Sequence, residues 1–262
     1  DGSHGANYCG RGDHPVSCRM PCCHYTDATG STGCPGLLWH LHLERRYEIR
    51  RTRQHYRMAI YRIYPEKDAT ILSEPNTAGV YGNAGLDEIL EVRSYPDDDG
   101  IGRSSRILIK FSDRDIRSAL STKVSGSYSA SLHLYLADGA QLPQDYTLEA
   151  HRISGSWLQG TGKLGDSPAN TTGVTWTARE PGNNWAIAGC DFTDDSNSSS
   201  QTFNLLSNLD IDIDVTSYIT SFEGGSINND GIVLKFEDNQ ENELTSSINL
   251  KYFGSNTSTV FP

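Results

Sequence analysis

Three aspartates at alternate positions, Asp210, Asp212 and Asp214, interleave with Leu209, Ile211, Ile213 and Val215. Paired carboxylates are what glycoside hydrolysis requires, so this run is the first place to look for chemistry. In a strand, alternate residues share one face and lie about 7 Å apart along it. A retaining glycosidase instead holds its two acids about 5 Å apart, facing one another across the sugar. The run is therefore expected to be a half-buried strand with three solvated carboxylates. Two other acidic groups, Asp97-Asp98-Asp99 and Asp194-Asp195 with Asn197, place hard oxygens on turns. A structural calcium is the one cofactor such turns would take, although neither has the spacing of a helix–loop–helix calcium loop, and exposed turn acids are the simpler expectation.

Cys18, Cys22, Cys23, His24 and Cys34 supply soft ligands for zinc. Their spacing gives neither a paired C-x-x-C nor a C-x-x-C with H-x-x-x-H, so no zinc site is expected. Disulfides among the five cysteines Cys9, Cys18, Cys22, Cys23 and Cys34 would leave one thiol over. Arg11-Gly12-Asp13 spells an adhesion tripeptide, a match short enough to arise by chance. The strongest binding candidates are aromatic: Trp157, Trp176 and Trp185 stand in polar loops, where a flat indole can stack on a sugar or meet a partner subunit. Trp185, after Gly182-Asn183-Asn184, is the first of these to test, because Trp157 and Trp176 can equally plug the end of a sandwich. Gly-x-Ser-x-Gly, His-Glu-x-x-His and a phosphate-cradling glycine loop are all missing, and no catalytic role is expected.

The elements that must carry these residues are strands. Gly, Ser, Thr, Asn and Asp are abundant over the 262 residues, and the apolar residues come in short runs. Residues 58–262 read as an antiparallel β-sandwich, all-β in class. Ala59 to Tyr64 alternates, Pro65-Glu66-Lys67-Asp68 turns, and Ala69 to Leu72 continues extended. Glu88 to Val92 and Arg106 to Phe111 follow, then one helical turn over Asp113 to Leu120 capped by Ser112 or Asp113. Ala130 to Leu136 alternates strictly, with Leu132, Leu134 and Leu136 on one face and His133 on the other. Tyr146 to Ile153, Leu209 to Val215, Gly231 to Phe236 and Ser247 to Phe253 complete the set, with 158–200 rich in loops.

Residues 1–57 differ in kind. They hold six of the eight histidines, five of the six cysteines, and eight Arg with no Lys against five acids. They form an irregular arm in this reading, with a short stretch from Leu37 to Arg53 that can turn helical, and Met58 is expected to be the natural start of the domain. The remainder carries a net charge of -14 within a total of -11, which repels phosphate backbones and argues against nucleic-acid binding. No apolar run approaches a membrane span.

The order of segments resembles the DNRLRE-type domain, a jelly roll related to family 96 carbohydrate-binding modules. The matching residues are Asp68-Ala69-Thr70-Ile71, Asn83-Ala84-Gly85 with Leu90-Glu91-Val92, Arg106 to Phe111, and Ala130 to Leu134. Trp157, Thr175-Trp176 and Asp214-Val215-Thr216-Ser217-Tyr218 continue the order. Tyr61 to Ile71 and Asn83 to Glu91 are most similar to virion structural proteins of tailed bacteriophages. The resemblance implies a non-catalytic virion protein of a tail, neck or shell, working through contacts with other virion subunits or with itself as a homo-oligomer. A carbohydrate-binding module of a secreted or adhesion protein, extracellular and bound to polysaccharide, is the alternative. The family pattern continues past Phe261-Pro262 with a further strand, so the domain is expected to be incomplete at its C-terminal end.

Overall fold

Alternating apolar residues build two antiparallel sheets whose inner faces share one core. The computed structural model describes residues 39–47, 57–121, 127–139, 142–204, 206–241 and 244–257. All lie within one compact unit, Pro35–Pro262. The smaller sheet contains β1 (Trp39–Tyr47), β2 (Arg57–Ile63), β6 (Tyr128–Leu134) and β13 (Ile211–Asp214), in the order β13-β6-β1-β2. The larger contains β3 (Pro65–Leu72), β4 (Ile89–Pro96), β5 (Gly102–Phe111), β7 (Leu136–Gly139), β8 (Tyr146–Ile153), β11 (Phe192–Thr193), β12 (Ser199–Phe203), β14 (Ile232–Phe236) and β15 (Ile248–Phe253). Its order is β11-β8-β14-β5-β4-β15-β7, with β12 also on β8 and β3 on β5. A short pair, β9 (Ala178–Glu180) and β10 (Asn183–Asn184), stands apart.

Leu132 and Leu134 from the smaller sheet meet Ile107, Ile109, Leu148, Leu234, Leu250 and Tyr252 from the larger. Burying such side chains contributes about 1.5–3 kcal/mol each. Leu136 packs against the same core as Leu132 and Leu134, but from the larger sheet. The chain changes sheet at Tyr135, whose carbonyl accepts the Phe253 N–H at 3.2 Å, so β6 and β7 belong to different layers. On the other side, Gln201 of β12 joins the sheets through its side chain: Oε1 accepts from Asp212 N at 2.8 Å and Nε2 donates to Asp210 O at 3.1 Å. The side-chain amide thereby supplies β13 with the donor and acceptor a neighbouring strand would offer.

Three helices intervene among the described residues. In α1 (Asp113–Ser121), Ile116 and Leu120 lie one turn apart and are both buried. Its first N–H groups turn back to the Ser112 carbonyl. α2 (Thr216–Glu223) buries Tyr218, Ile219 and Phe222, a helical spacing within the segment expected to lead directly into the last strands. α3 (Asp238–Glu241) is a single turn.

Three expectations are corrected. Residues 39–47, where a helix was allowed for, form β1, which pairs with β2 on one side and β6 on the other. Strand pairing thus begins within the arm, ahead of the expected boundary at Met58. Pro65-Glu66-Lys67-Asp68 does not turn but opens β3, with a bulge between Pro65 and Lys67, because the chain crosses here from the smaller sheet to the larger.

Candidate functional site

The period-two alternation that fills the sandwich core also places Ala69, Ile71, Leu108, Ile153 and Val233 on the opposite face of the larger sheet. Two long loops, residues 73–88 and 154–191, cover that face. Trp157, Val174, Trp185 and Cys190 from the second loop pack onto these strand residues as a separate apolar cluster.

This layer decides the tryptophans. Trp157 is 4 % exposed and Trp185 5 % exposed. Their indole nitrogens donate to Asp230 O at 2.9 Å and to Thr175 O at 3.1 Å. Lys67 Nζ sits 4.2 Å above the Trp157 ring and donates to the Trp157 carbonyl. Trp176 is half-buried beneath the Arg106 guanidinium, 5.0 Å from its ring. Trp185 is therefore corrected from an exposed stacking platform to a core residue, because the sheet face beneath it is apolar and needs covering, and Trp157, for which a packing role was also expected, is buried in the same layer.

The loops are held by buried polar residues that sequence alone showed only as turn formers. Asn83 Nδ2 donates to Gln159 O at 2.7 Å and Val174 O at 2.8 Å, while Oδ1 accepts from Gly162 N at 2.8 Å and Gly85 N at 3.3 Å. The two loops touch backbone to backbone here: a Cβ on Gly85 would overlap the Gln159 carbonyl oxygen, and one on Gly162 the Asn83 carbonyl oxygen. Arg106 forms a bidentate pair with Glu241, Nε and Nη2 each donating at 2.6 Å, and Nη1 donates to Gly189 O at 2.7 Å. Asp191 accepts from Ala186 N and Ile187 N, fixing a turn on which Ile187 is 73 % exposed. Burial pushes the Cys190 thiol up, so it stays protonated and unreactive.

Asp68 is also buried, and its carboxylate accepts from Ser255 N and Ser255 Oγ at 2.7 Å and from Gln159 Nε2 at 3.3 Å. Burial outweighs these bonds and pushes its pKa up to about 6, from the ordinary 3.8. The folded chain then holds a proton that the unfolded chain has lost between roughly pH 4 and 6, so this group's contribution falls as pH rises through that window. The loss expected is about 3 kcal/mol, complete above pH 6. Urea unfolding of the parent and of Asp68→Asn, at pH 4 and pH 7.5, checks this: the variant should lack that component of the pH dependence.

A groove of about 380 Å³ lies over β8 and β14, lined by Glu149, His151, Lys235 and the acids Asp194, Glu237 and Asp238. Lys235 is buried and donates to Glu149 Oε2 (3.1 Å), Phe236 O (2.7 Å) and Asp238 Oδ1 (2.8 Å), which uses all three ammonium protons. His151 stacks on Phe192 and bridges Ser198 Oγ at 3.0 Å and Glu149 Oε2 at 3.1 Å. Burial pushes Glu149 up, but hydrogen bonds from His151 and Lys235 and their charges hold it below the usual carboxylate range. Ser198–His151–Glu149 has the connectivity of a hydrolase triad. Ser198, however, does not line the groove, and its hydroxyl accepts the Asp195 N–H at 3.1 Å as part of a turn. The arrangement is an internal network that fastens the 194–198 turn to the sheet. The sequence signal for it was slight, two polar residues at i and i+2 on one strand.

The turn acids have similar roles. Asp97 Oδ1 accepts from Asp99 N and Ile101 N, and Oδ2 from Arg103 Nε at 2.8 Å. Asp195 pairs with Arg152 at 2.7 Å and accepts from Asn197. Both are held below the ordinary carboxylate range, Asp97 chiefly by the Ile101 N–H and Asp195 chiefly by Arg152. Asp98, Asp99 and Asp194 are exposed, and no group of three potential metal ligands occurs among the described residues. Asp212 and Asp214 point to solvent, while Asp210 accepts the Leu136 N–H. Cys18, Cys22, Cys23, His24, Cys34 and the Arg11-Gly12-Asp13 tripeptide lie outside the described residues.

The protein is an all-β antiparallel sandwich with a loop layer on the outer face of its larger sheet. No family model matches the chain, and no curated protein matches it.

Proposed function

We propose that this chain is a non-catalytic structural protein of a tailed-bacteriophage virion, a jelly-roll domain of the tail, neck or shell that acts through subunit contacts. The observation that carries this is what the loop layer hides and what it presents. Trp157 and Trp185 are core, while Ile187 stands out on a turn fixed by the half-buried Asp191 carboxylate. A sugar site wants an exposed flat ring. Apolar side chains on pre-ordered turns suit a protein partner, since little ordering entropy remains to be lost on binding. The acidic surface suits no nucleic acid. No helix among the described residues is long and apolar enough to cross a membrane.

Electron microscopy of the purified full chain tests this, with rings, tubes or other repeating assemblies expected. A protein that stays monomeric at every concentration and binds glycans would overturn it.

One observation favours a carbohydrate-binding module instead. A groove of about 370 Å³ is lined by Tyr81, Thr171, Thr175 and Thr177, one aromatic among hydroxyls. On that reading Tyr81→Ala abolishes binding on a glycan array, whereas on the structural reading the parent shows no glycan binding to lose.

A further inference from the structure

We propose that His40 and His42 of β1, with His133 of β6, form a three-histidine site for a zinc-type divalent cation, in which Asp212 of β13 orients the third imidazole. The cation clips β1, which lies ahead of Met58, to the rest of the smaller sheet.

Strand register places the three. His40 lies directly opposite His133, and His133 lies directly opposite Asp212. His42, two residues along β1, lies opposite Ser131. Residues opposite one another in an antiparallel pair share a face, with Cβ atoms about 4.5–5.5 Å apart and diagonal neighbours about 7–8 Å apart. Residues two apart on one strand share that face at about 7 Å. The three histidines therefore mark a small triangle on the side of the sheet away from the core, where His133 alternates with the buried Leu132 and Leu134. Three histidines are a zinc donor set, with Zn–N distances of about 2.0–2.1 Å and a fourth position left for water. The described side chains alone form no group of three ligands, and the register of β1 completes one.

Asp212 gives His133 the partner that a ligating histidine needs. Its Oδ1 lies 3.5 Å from His133 Nδ1, and the side chains are 62 % and 20 % exposed. A metal-bound imidazole turns its other ring nitrogen to a carboxylate or carbonyl, which fixes the ring and raises its basicity. Nδ1 faces Asp212, so Nε2 is the ligating nitrogen. Asp212 and Asp214, opposite His133 and Ser131, also supply negative charge beside three neutral ligands. Arg62 lies opposite His42 on the far side of β1 and is exposed, and its long stem holds its charge away in solvent. Residues 58–262 contain two histidines, His133 and His151, and one of the two stands in register with His40-Leu41-His42. A cation bound there stabilises the folded pairing of β1 with β6 by mass action.

Cobalt(II) titration of the full chain tests the site, after EDTA treatment, desalting and alkylation of the accessible thiols, which removes the cysteines of residues 9–34 as ligands. The parent is expected to take up about one cobalt per chain with visible d–d bands, displaced by zinc. His42→Gln and His133→Gln should each abolish uptake, and Asp212→Asn should weaken it about ten- to hundredfold. Zinc should also raise the melting temperature of the parent and slow amide exchange at Leu41 and Leu43, with neither effect in His133→Gln. His133 and Asp212 lie outside the core, so circular dichroism should report an unchanged fold in their variants. An alkylated parent that takes up no cobalt overturns the proposal. Uptake that is undiminished in His133→Gln also overturns it, because the metal then sits among other histidines.

Discussion

Replacing Asn83 with alanine is expected to destabilise the domain by about 4 kcal/mol, among the largest effects of any single substitution. The side chain satisfies two carbonyls and two N–H groups from three separate stretches of loop. Each buried backbone group left without a partner costs about 1–3 kcal/mol, and water entering the vacated space recovers only part. Steric room for adjustment is small, since Gly160, Gly162 and Gly173 approach so closely that a Cβ on any of them would overlap neighbouring atoms. Asn83→Asp keeps the acceptor but removes both donors and buries a carboxylate, so its defect should ease as pH falls. Urea unfolding gives the magnitude, and hydrogen exchange at the Gly85 and Gly162 amides gives the location. A loss below about 1 kcal/mol would mean that solvent replaces all four bonds.

Glu241→Ala is expected to cost about 3–5 kcal/mol, because it strands the Arg106 guanidinium in a buried site. The Glu241 side chain is 3 % exposed and that of Arg106 11 %, so neither charge is well screened by water. The pair also anchors the loop that presents Ile187, through Arg106 and the Gly189 carbonyl. Cys190 has a φ of 92°, unusual for a residue with a side chain, and lies directly beside this anchor. Faster amide exchange at Ala186 and Ile187 should therefore accompany the loss of stability. Replacing both partners with apolar residues, Arg106→Met with Glu241→Leu, should recover most of the stability, since the penalty belongs to the unpaired charge. If the single and double variants unfold at the same urea concentration, the pair is not what holds α3 and the loop to the sheet.

Both residues show where inference from sequence stops. Asn83 stands in a Gly-Asn-Ala-Gly string that announces a turn, yet three of its four side-chain hydrogen-bond partners lie 76 to 91 residues further along the chain. Glu241 is one acid in a charged stretch, and nothing local marks it as the partner of an arginine 135 residues earlier. Trp185 was misjudged for the same reason. Polar neighbours made Trp185 look accessible, but its burial depends on Ile71, Leu108 and Val233 forming a second apolar sheet face beneath it.

What the amino-acid order determined by itself was local and periodic. Alternation of apolar and polar residues marked Ile211 and Ile213 as buried against Asp212 and Asp214, placed Leu132 and Leu134 inward, and established an all-β antiparallel sandwich. It also located α1. Which sheet each strand joins, the crossings at Tyr64 and Tyr135, the pairing of β1, and the partners of Asn83, Asp68 and Arg106 were decided only by tertiary structure. The physical reason is range. A period of two is imposed by backbone geometry on neighbouring residues, whereas a buried hydrogen bond or ion pair is specified by whichever group the fold brings within about 3 Å.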